Sequence, residues 1–343
     1  MSVILIATES AVLSADVERG IVAAARGMSD RPTCLTADPR TPGRAWCGTQ
    51  RGGVFRTDDA GSSWRPCGLE GQSIMSITAS PAEAEVVWVG TEPSVVWRSA
   101  DGGERWEQTS RLDVLPSSPT WAFPPKPDTH HVRWIACHPQ QAGRLWVAIE
   151  AGALVSTADG GRRWHDKVPG GPYDTHELAI HPDLPDSLRV AAGDGYYESD
   201  DGGATWRRPR SGLDVGYLRS VAIDPGQSDV VIVSASSGPR SAYAAGVSDG
   251  RLYRRVAQGG WERVREGWPE RPSTIAPLLI PGARAGELWA ADERGLHRSR
   301  DGGVSWREVA GYPTAPRYLR ALTNGITPFA ARSSSPHRST RTA

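Results

Sequence analysis

The octapeptide SADGGERW (99–106) recurs with variation as TDDAGSSW (57–64), TADGGRRW (157–164), SDDGGATW (199–206) and SRDGGVSW (299–306). Every copy keeps a small hydroxyl residue, an Asp two positions on, a Gly two further and a closing Trp. Ser/Thr and Asp side chains bond nearby backbone N–H groups in tight hairpins. Gly supplies the positive φ that closes such a turn, and the Trp re-enters the sheet to fill the gap between neighbouring sheets. The octapeptide therefore reads as a hairpin staple. A calcium loop is the functional alternative, and it fails because no D-x-D-x-D-G frame with Glu at the twelfth position is present.

The closing tryptophans stand at 64, 106, 164, 206 and 306, and a degenerate copy, RRVAQGGW, ends at Trp261. A period of this size marks one supersecondary unit per repeat. Each unit is a series of short apolar runs, as in VRWIACHP (132–139), GRLWVAIE (143–150) and GALVSTADGG (152–161). These runs are β-branched or aromatic and are bounded by Gly, Pro and Asp, a strand pattern and not a helical one. Four antiparallel strands per unit around an axis make a β-propeller blade.

Six inner-strand turns are complete: LTADP (35–39), ITASP (77–81), IACHP (135–139), LAIHP (178–182), VAIDP (221–225) and LLIP (278–281). A further blade is split, with VILIATESAVLSAD (3–16) supplying its middle strands and YLRALTNG (318–325) aligning with YLRSVAIDP (217–225) as its inner strand. Pairing the two ends hides edges that would otherwise invite aggregation. The expectation is an all-β, seven-bladed propeller of four-stranded antiparallel blades, one blade closed by both termini. It forms a single domain over 1–330, followed by a short, basic, disordered tail over 331–343.

With 39 basic and 39 acidic residues among 343, no global field draws the chain to nucleic acid or anionic lipid. Cys34, Cys47, Cys67 and Cys137 lack metal or redox spacing and read as small buried hydrophobes. No window is apolar for the roughly 18 residues a spanning helix needs. The start, MSVILIATES, has no basic segment, long apolar run or cleavage site. The chain is expected to be cytoplasmic, with neither a nucleic-acid nor a membrane partner.

The five octapeptides resemble the Asp-box, or BNR, repeat of sialidases, sortilin-type receptors and related bacterial propellers. The chain also looks like bacterial proteins described as sialidase-like or glycosyl-hydrolase-like. The resemblance covers nearly everything before the tail. It implies a propeller whose Asp boxes lie on the face opposite the site, and it implies no particular activity. A sialidase would carry an arginine triad, an Arg-Ile-Pro-like segment, an acid–base carboxylate and a Tyr–Glu pair. Arg133, Arg219 and Arg320 imitate the triad, but the segment does not occur and no Tyr–Glu pair can be assigned, so sialidase activity proper is not expected.

Chemistry should then collect on the other rim, where loops sit on a rigid scaffold. The second-to-third-strand turns place Glu9, Gln50, Glu92, Glu150, Asp194 and Glu293 in equivalent positions, either as a concerted ring or as plain turn chemistry. The inner strands start at Thr33, Met75, Arg133, His176, Arg219, Ile275 and Arg320, where an Arg either grips a ligand or caps carbonyls. The long connection 107–134 carries Trp121, His130 and His131 and reads as an ordered flap forming a substrate wall. The next connection brings Tyr173, Asp174 and His176, and GDGYYESD (193–200) brings Asp194, Tyr196 and Tyr197. An insert in blade 6, SASSGPRSAYAAGVSDG (234–250), departs from the repeat.

Carboxylates with His and Arg suit acid–base hydrolysis, a divalent metal or the grip of an anion. The catalytic candidates are Glu150, His176 and Asp194. The ligand-binding candidates are Trp121, His130, His131, Arg133, Tyr173, Tyr196, Arg219 and Arg320. His131, His176 and Glu150 are the residues for a divalent metal, if one is bound. His138 and His181, each before a Pro, are read as structural. The expected function is binding of a small polar, anionic or glycan-like ligand on this rim, with glycosidase-like hydrolase or lyase chemistry. The alternative is a non-catalytic scaffold that holds a peptide or protein there.

Overall fold

The structure is a computed structural model that describes residues 3–244, 246–268 and 274–324. The tail expected over 331–343 lies outside the described residues. Seven antiparallel sheets follow one another around a ring, numbered here as blades in chain order from the N-terminal one. Blade 1 has the order Leu319–Asn324, Val3–Thr8, Val12–Asp16 and Ile21–Ala24. Ile4 stands opposite Asn324 and Ala7 opposite Ala321. Blades 2, 3, 6 and 7 are four-stranded meanders starting at Pro32, Ser73, Tyr217 and Leu278. Blades 4 and 5 have three full strands, from Val132 and Thr175, and a fourth reduced to the single bridges Ser156–His165 and Glu198–Arg207.

The apolar runs do not alternate because each blade is covered on both faces. Val3–Thr8 is buried at all six positions. Successive side chains of a strand point to opposite faces. Ile4 and Ile6 accordingly pack with Leu278 and Trp289 of blade 7, and Val3, Leu5 and Ala7 pack with Leu35 and Cys47 of blade 2. Among the described residues the core is divided into clusters of this kind, each filling one gap between adjacent blades. The four cysteines carry no disulfide, and burial pushes the Cys34 thiol up to about 12 and that of Cys67 to about 11. They are inert packing groups.

All five octapeptides form the same turn. In the second, Ser99 Oγ donates to Asp101 Oδ1 at 2.9 Å and accepts from Gly103 N at 2.8 Å, while Asp101 Oδ1 accepts from Arg105 N at 2.9 Å. Gly103 has φ +99, and a Cβ there would stand 2.6 Å from Cys67 Sγ of blade 2, so both backbone and space demand glycine. Tryptophans then stitch blade to blade. Trp46 Nε1 donates to Gly102 O at 2.9 Å, and Trp106 Nε1 returns to Cys67 O at 2.7 Å.

The staple has a pH signature. Hydrogen bonds from the Thr205 side chain and backbone, with that of Ser199, pull Asp201 from 3.8 down to about 2. A depressed carboxyl stabilises the fold above its unfolded value, and the effect disappears as pH falls through the folded one. Asp201→Asn is expected to lower stability at neutral pH by about 1 kcal/mol, the worth of an exposed charge-assisted bond. Thermal melts from pH 7 to 2 should show that gap closing between pH 4 and 2. A constant gap would contradict the assignment.

Candidate functional site

Strand direction alternates within a blade, so the inner-strand starts and the second-to-third-strand turns share one rim. The stapled hairpins end the third strands on the opposite rim. Between the rims runs a narrow channel lined by Met75, Arg133, His176, Glu177, Arg219 and Arg320, among others, with about 60 Å³ of free room. That holds a few water molecules. A larger ligand therefore sits at the mouth and not inside.

At the mouth, blades 4, 5 and 6 converge. Glu150 follows the strand Leu145–Ile149, and its backbone N–H donates to His131 O at 3.3 Å. The connection into blade 5 clasps this turn, because Asp174 Oδ1 accepts from Ala151 N at 3.1 Å and Tyr173 O from Gly152 N at 3.1 Å. Glu150 Oε2 meets His131 Nε2 at 2.6 Å and Arg133 Nε at 3.6 Å. His176, fully buried, donates from Nδ1 to Leu218 O at 2.6 Å. That bond makes Nδ1 the donor and turns Nε2 towards Glu150 Oε1 (3.8 Å), Asp174 Oδ2 (3.7 Å) and Tyr217 Oη (3.4 Å). The blade 6 insert folds into a short helix, Pro239–Tyr243, whose Tyr243 ring meets that of Tyr217 at 6.3 Å, edge to face.

The two carboxyls are held apart in acidity. Burial works to raise Glu150, but the His131 hydrogen bond and the charges of Arg133, His131 and His176 outweigh it and hold the group at about 2. Asp174 is raised by burial and by the charges of Glu150 and Asp194, against the pull of His176. Burial lowers His176. Glu177, whose Oε2 accepts from Ser220 Oγ at 2.5 Å, is pushed up to about 8 by burial.

The structure brings His131, Arg133, Glu150 and His176 together. Asp194 lies beside them. It accepts from the Tyr197 hydroxyl, pairs with Arg208 at 3.4 Å and acts on Asp174 through its charge. The carboxylate facing His176 together with Glu150 is Asp174.

Four other expected ligand contacts lie elsewhere. Trp121 is 5% exposed in the core between blades 3 and 4, with Nε1 bonded to Ser117 Oγ at 3.0 Å. The connection 107–134 is thus a flap pinned to the barrel wall, and it serves the mouth through His131. His130 bonds Ser94 Oγ at 2.8 Å on the flank. Tyr196 is wholly buried against Trp261 in the gap towards blade 6, and period-2 alternation turns its neighbour Tyr197, also buried, into the gap towards blade 4. Tyr173 is exposed, with Lys167 Nζ 5.7 Å from its ring.

Arg219 is spent on carbonyls, donating to Ala276 O at 2.6 Å and Leu319 O at 2.5 Å. Arg320 is exposed over the Tyr318 ring and forms no ion pair among the described residues. Of the turn acids, Glu9 and Glu293 only cap backbone N–H groups, of Arg317 and Tyr318 and of Ile275. His138 and His181 accept backbone N–H bonds within their own turns. Asp174, Tyr217 and Tyr243 escaped the sequence reading as site residues. The DTH triplet (174–176) offered the one clue, since it places two ligand-type side chains on one side of a starting strand.

No protein-family model matches the chain, and no curated protein is similar to it in sequence. Solved structures share its fold. The GH74 enzyme of Niastella koreensis superposes with a TM-score of 0.70 at 12% identity, over 95% of this chain and 52% of the enzyme. The GH74 xyloglucanase from Xanthomonas campestris gives 0.65 at 16%, over 95% of this chain and 52% of that one. YCF48 bound to D1 peptide gives 0.60 at 18%, over 89% and 96%. The chain spans about half the length of the two GH74 enzymes. At these identities the likeness defines a class, the seven-bladed β-propeller. No helix of the described residues is long and apolar enough to cross a membrane.

Proposed function

We propose that this propeller binds a small glycan-like ligand bearing an acidic group at the mouth formed by blades 4 to 6, and hydrolyses it. The observation that carries this reading is the convergence of Glu150, Asp174 and His176, whose donor atoms lie within 4.8 Å of one another. Two segments build that convergence, the turn after Leu145–Ile149 in blade 4 and the Asp174–His176 entry to blade 5. Two tyrosine rings flank it, and aromatic faces with polar tips suit the mixed surface of a sugar. Arg320, which forms no ion pair among the described residues, and Arg133, shared with Glu150, suit a carboxylate on the ligand.

The GH74 enzymes use a related ring for glycan chemistry, and YCF48 uses one to hold a peptide, so the fold is compatible with either occupant. The charged cluster favours the first. The test is turnover of chromogenic uronides and neutral glycosides, with binding followed in parallel by calorimetry. Release from an acidic glycoside, weakened in Arg320→Ala, is the expected result. Tight binding of an extended peptide with no glycoside turnover would replace this reading with the scaffold one.

A further inference from the structure

The cluster at the mouth has features that ligand contact alone does not require. His176 is wholly enclosed, its Nδ1 is committed to Leu218 O, and its Nε2 faces two carboxylate oxygens at 3.7 and 3.8 Å. An imidazole with one nitrogen fixed by a backbone carbonyl and the other aimed at carboxylates is how metal-binding histidines are oriented. Glu150 is held from behind by His131 at 2.6 Å, as ligating carboxylates commonly are. Gly193 supplies an independent sign. Its φ lies outside the left-handed region, so no turn demands glycine there. Yet a Cβ would stand 2.0 Å from Asp174 Oδ2 and 3.2 Å from His176 Cε1. Glycine is present to leave room for the Asp174 carboxylate beside the ring.

We propose that Glu150, Asp174 and His176 form a binding site for one divalent first-row transition cation, such as Mn²⁺ or Zn²⁺. Bonds of about 2.0–2.2 Å to imidazole and carboxylate place neighbouring donor atoms about 3–3.5 Å apart. The two His176 Nε2 contacts, at 3.7 and 3.8 Å, need close by only a few tenths of an ångström, and the two carboxylates, within 4.8 Å of each other, draw together around the ion. One imidazole with two carboxylates suits these ions better than Ca²⁺, which takes six to eight oxygens. The remaining coordination positions face the mouth, towards Tyr217. This deepens the reading of the mouth as a hydrolytic site and rests on it only for the purpose of the ion. The site itself stands on the three side chains.

The full chain, stripped with a chelator and dialysed, is titrated with MnCl₂ and with ZnCl₂ by calorimetry. Mn²⁺ is also followed by electron paramagnetic resonance. One ion per chain and a raised Tm are expected. Asp174→Asn and Glu150→Gln, which keep side-chain shape, should each weaken binding at least tenfold. Gly193→Ala should do the same by displacing Asp174. Circular dichroism establishes that each variant is folded, and if one is not, the other two carry the comparison. No uptake of either ion by the stripped wild-type chain, or uptake unchanged in the folded variants, overturns the proposal. An ion bound with no glycoside hydrolysed leaves the cation site standing and removes the hydrolytic reading. Hydrolysis by a chelated protein that takes up neither ion does the reverse.

Discussion

Glu150→Gln is expected to reduce turnover on the order of 10³-fold while leaving the fold intact, the scale of a lost reacting group. Glu150 is the hub of the mouth, in contact with His131, Arg133 and His176 through its two oxygens. Glutamine keeps the shape and one acceptor oxygen but removes the charge. Binding energy elsewhere in the mouth survives, so the loss should fall on kcat more than on KM. The matched control is Glu293→Gln. Glu293 is equivalent in the repeat but caps the Ile275 N–H, so its replacement should cost stability and leave kcat unchanged. Equal loss in both variants would mean that the turn acids act only on the fold.

Arg219→Met carries the largest expected effect on stability. Arg219 starts the inner strand of blade 6 and is 2% exposed. It reaches Ala276 O at the entry to blade 7 and Leu319 O at the start of the strand that pairs with the N-terminal segment. One guanidinium thus ties three blades across the channel. Burial and its neighbours Arg133 and Arg320 pull its pKa down to about 10, which still leaves it charged at neutral pH. Methionine fills similar volume but strands two carbonyls, at a cost of about 3–5 kcal/mol. Denaturant melts should show that loss, whereas Arg320→Ala, at an exposed position with no ion pair among the described residues, should change stability by less than about 0.5 kcal/mol. A small effect at Arg219 with a large one on ligand affinity would make it a binding residue.

These two arginines mark where sequence reading stops. Both fall at the same repeat position, and alignment alone cannot tell carbonyl capping from ligand contact, because the difference lies in what the neighbouring blades present. The architecture was legible because it is written redundantly. Five copies of one turn, each demanding a hydroxyl, an Asp and a Gly, leave little freedom, and the Trp spacing sets the unit. The rim was legible for the same reason, since strand alternation fixes which turns share a side.

The site was half legible. Arg133, Glu150 and His176 follow from repeat register, and His131 from the end of the long connection that leads to Arg133. Asp174 lies in a connection whose length varies from blade to blade, and Tyr243 in an insert, so strand register does not reach them. Trp121 and Tyr196 illustrate the opposite failure. An aromatic in a loop or a turn looks available for a ligand until packing shows that a gap between blades needed filling.

The most direct test of the account is a crystal structure of the protein soaked with MnCl₂ and a uronic-acid disaccharide. The account predicts ion density between Glu150, Asp174 and His176, with the sugar over Tyr217 and Tyr243 and its carboxylate turned towards Arg133 or Arg320. Sugar bound on the rim of the stapled hairpins, or a mouth left empty at saturating concentration, would contradict it.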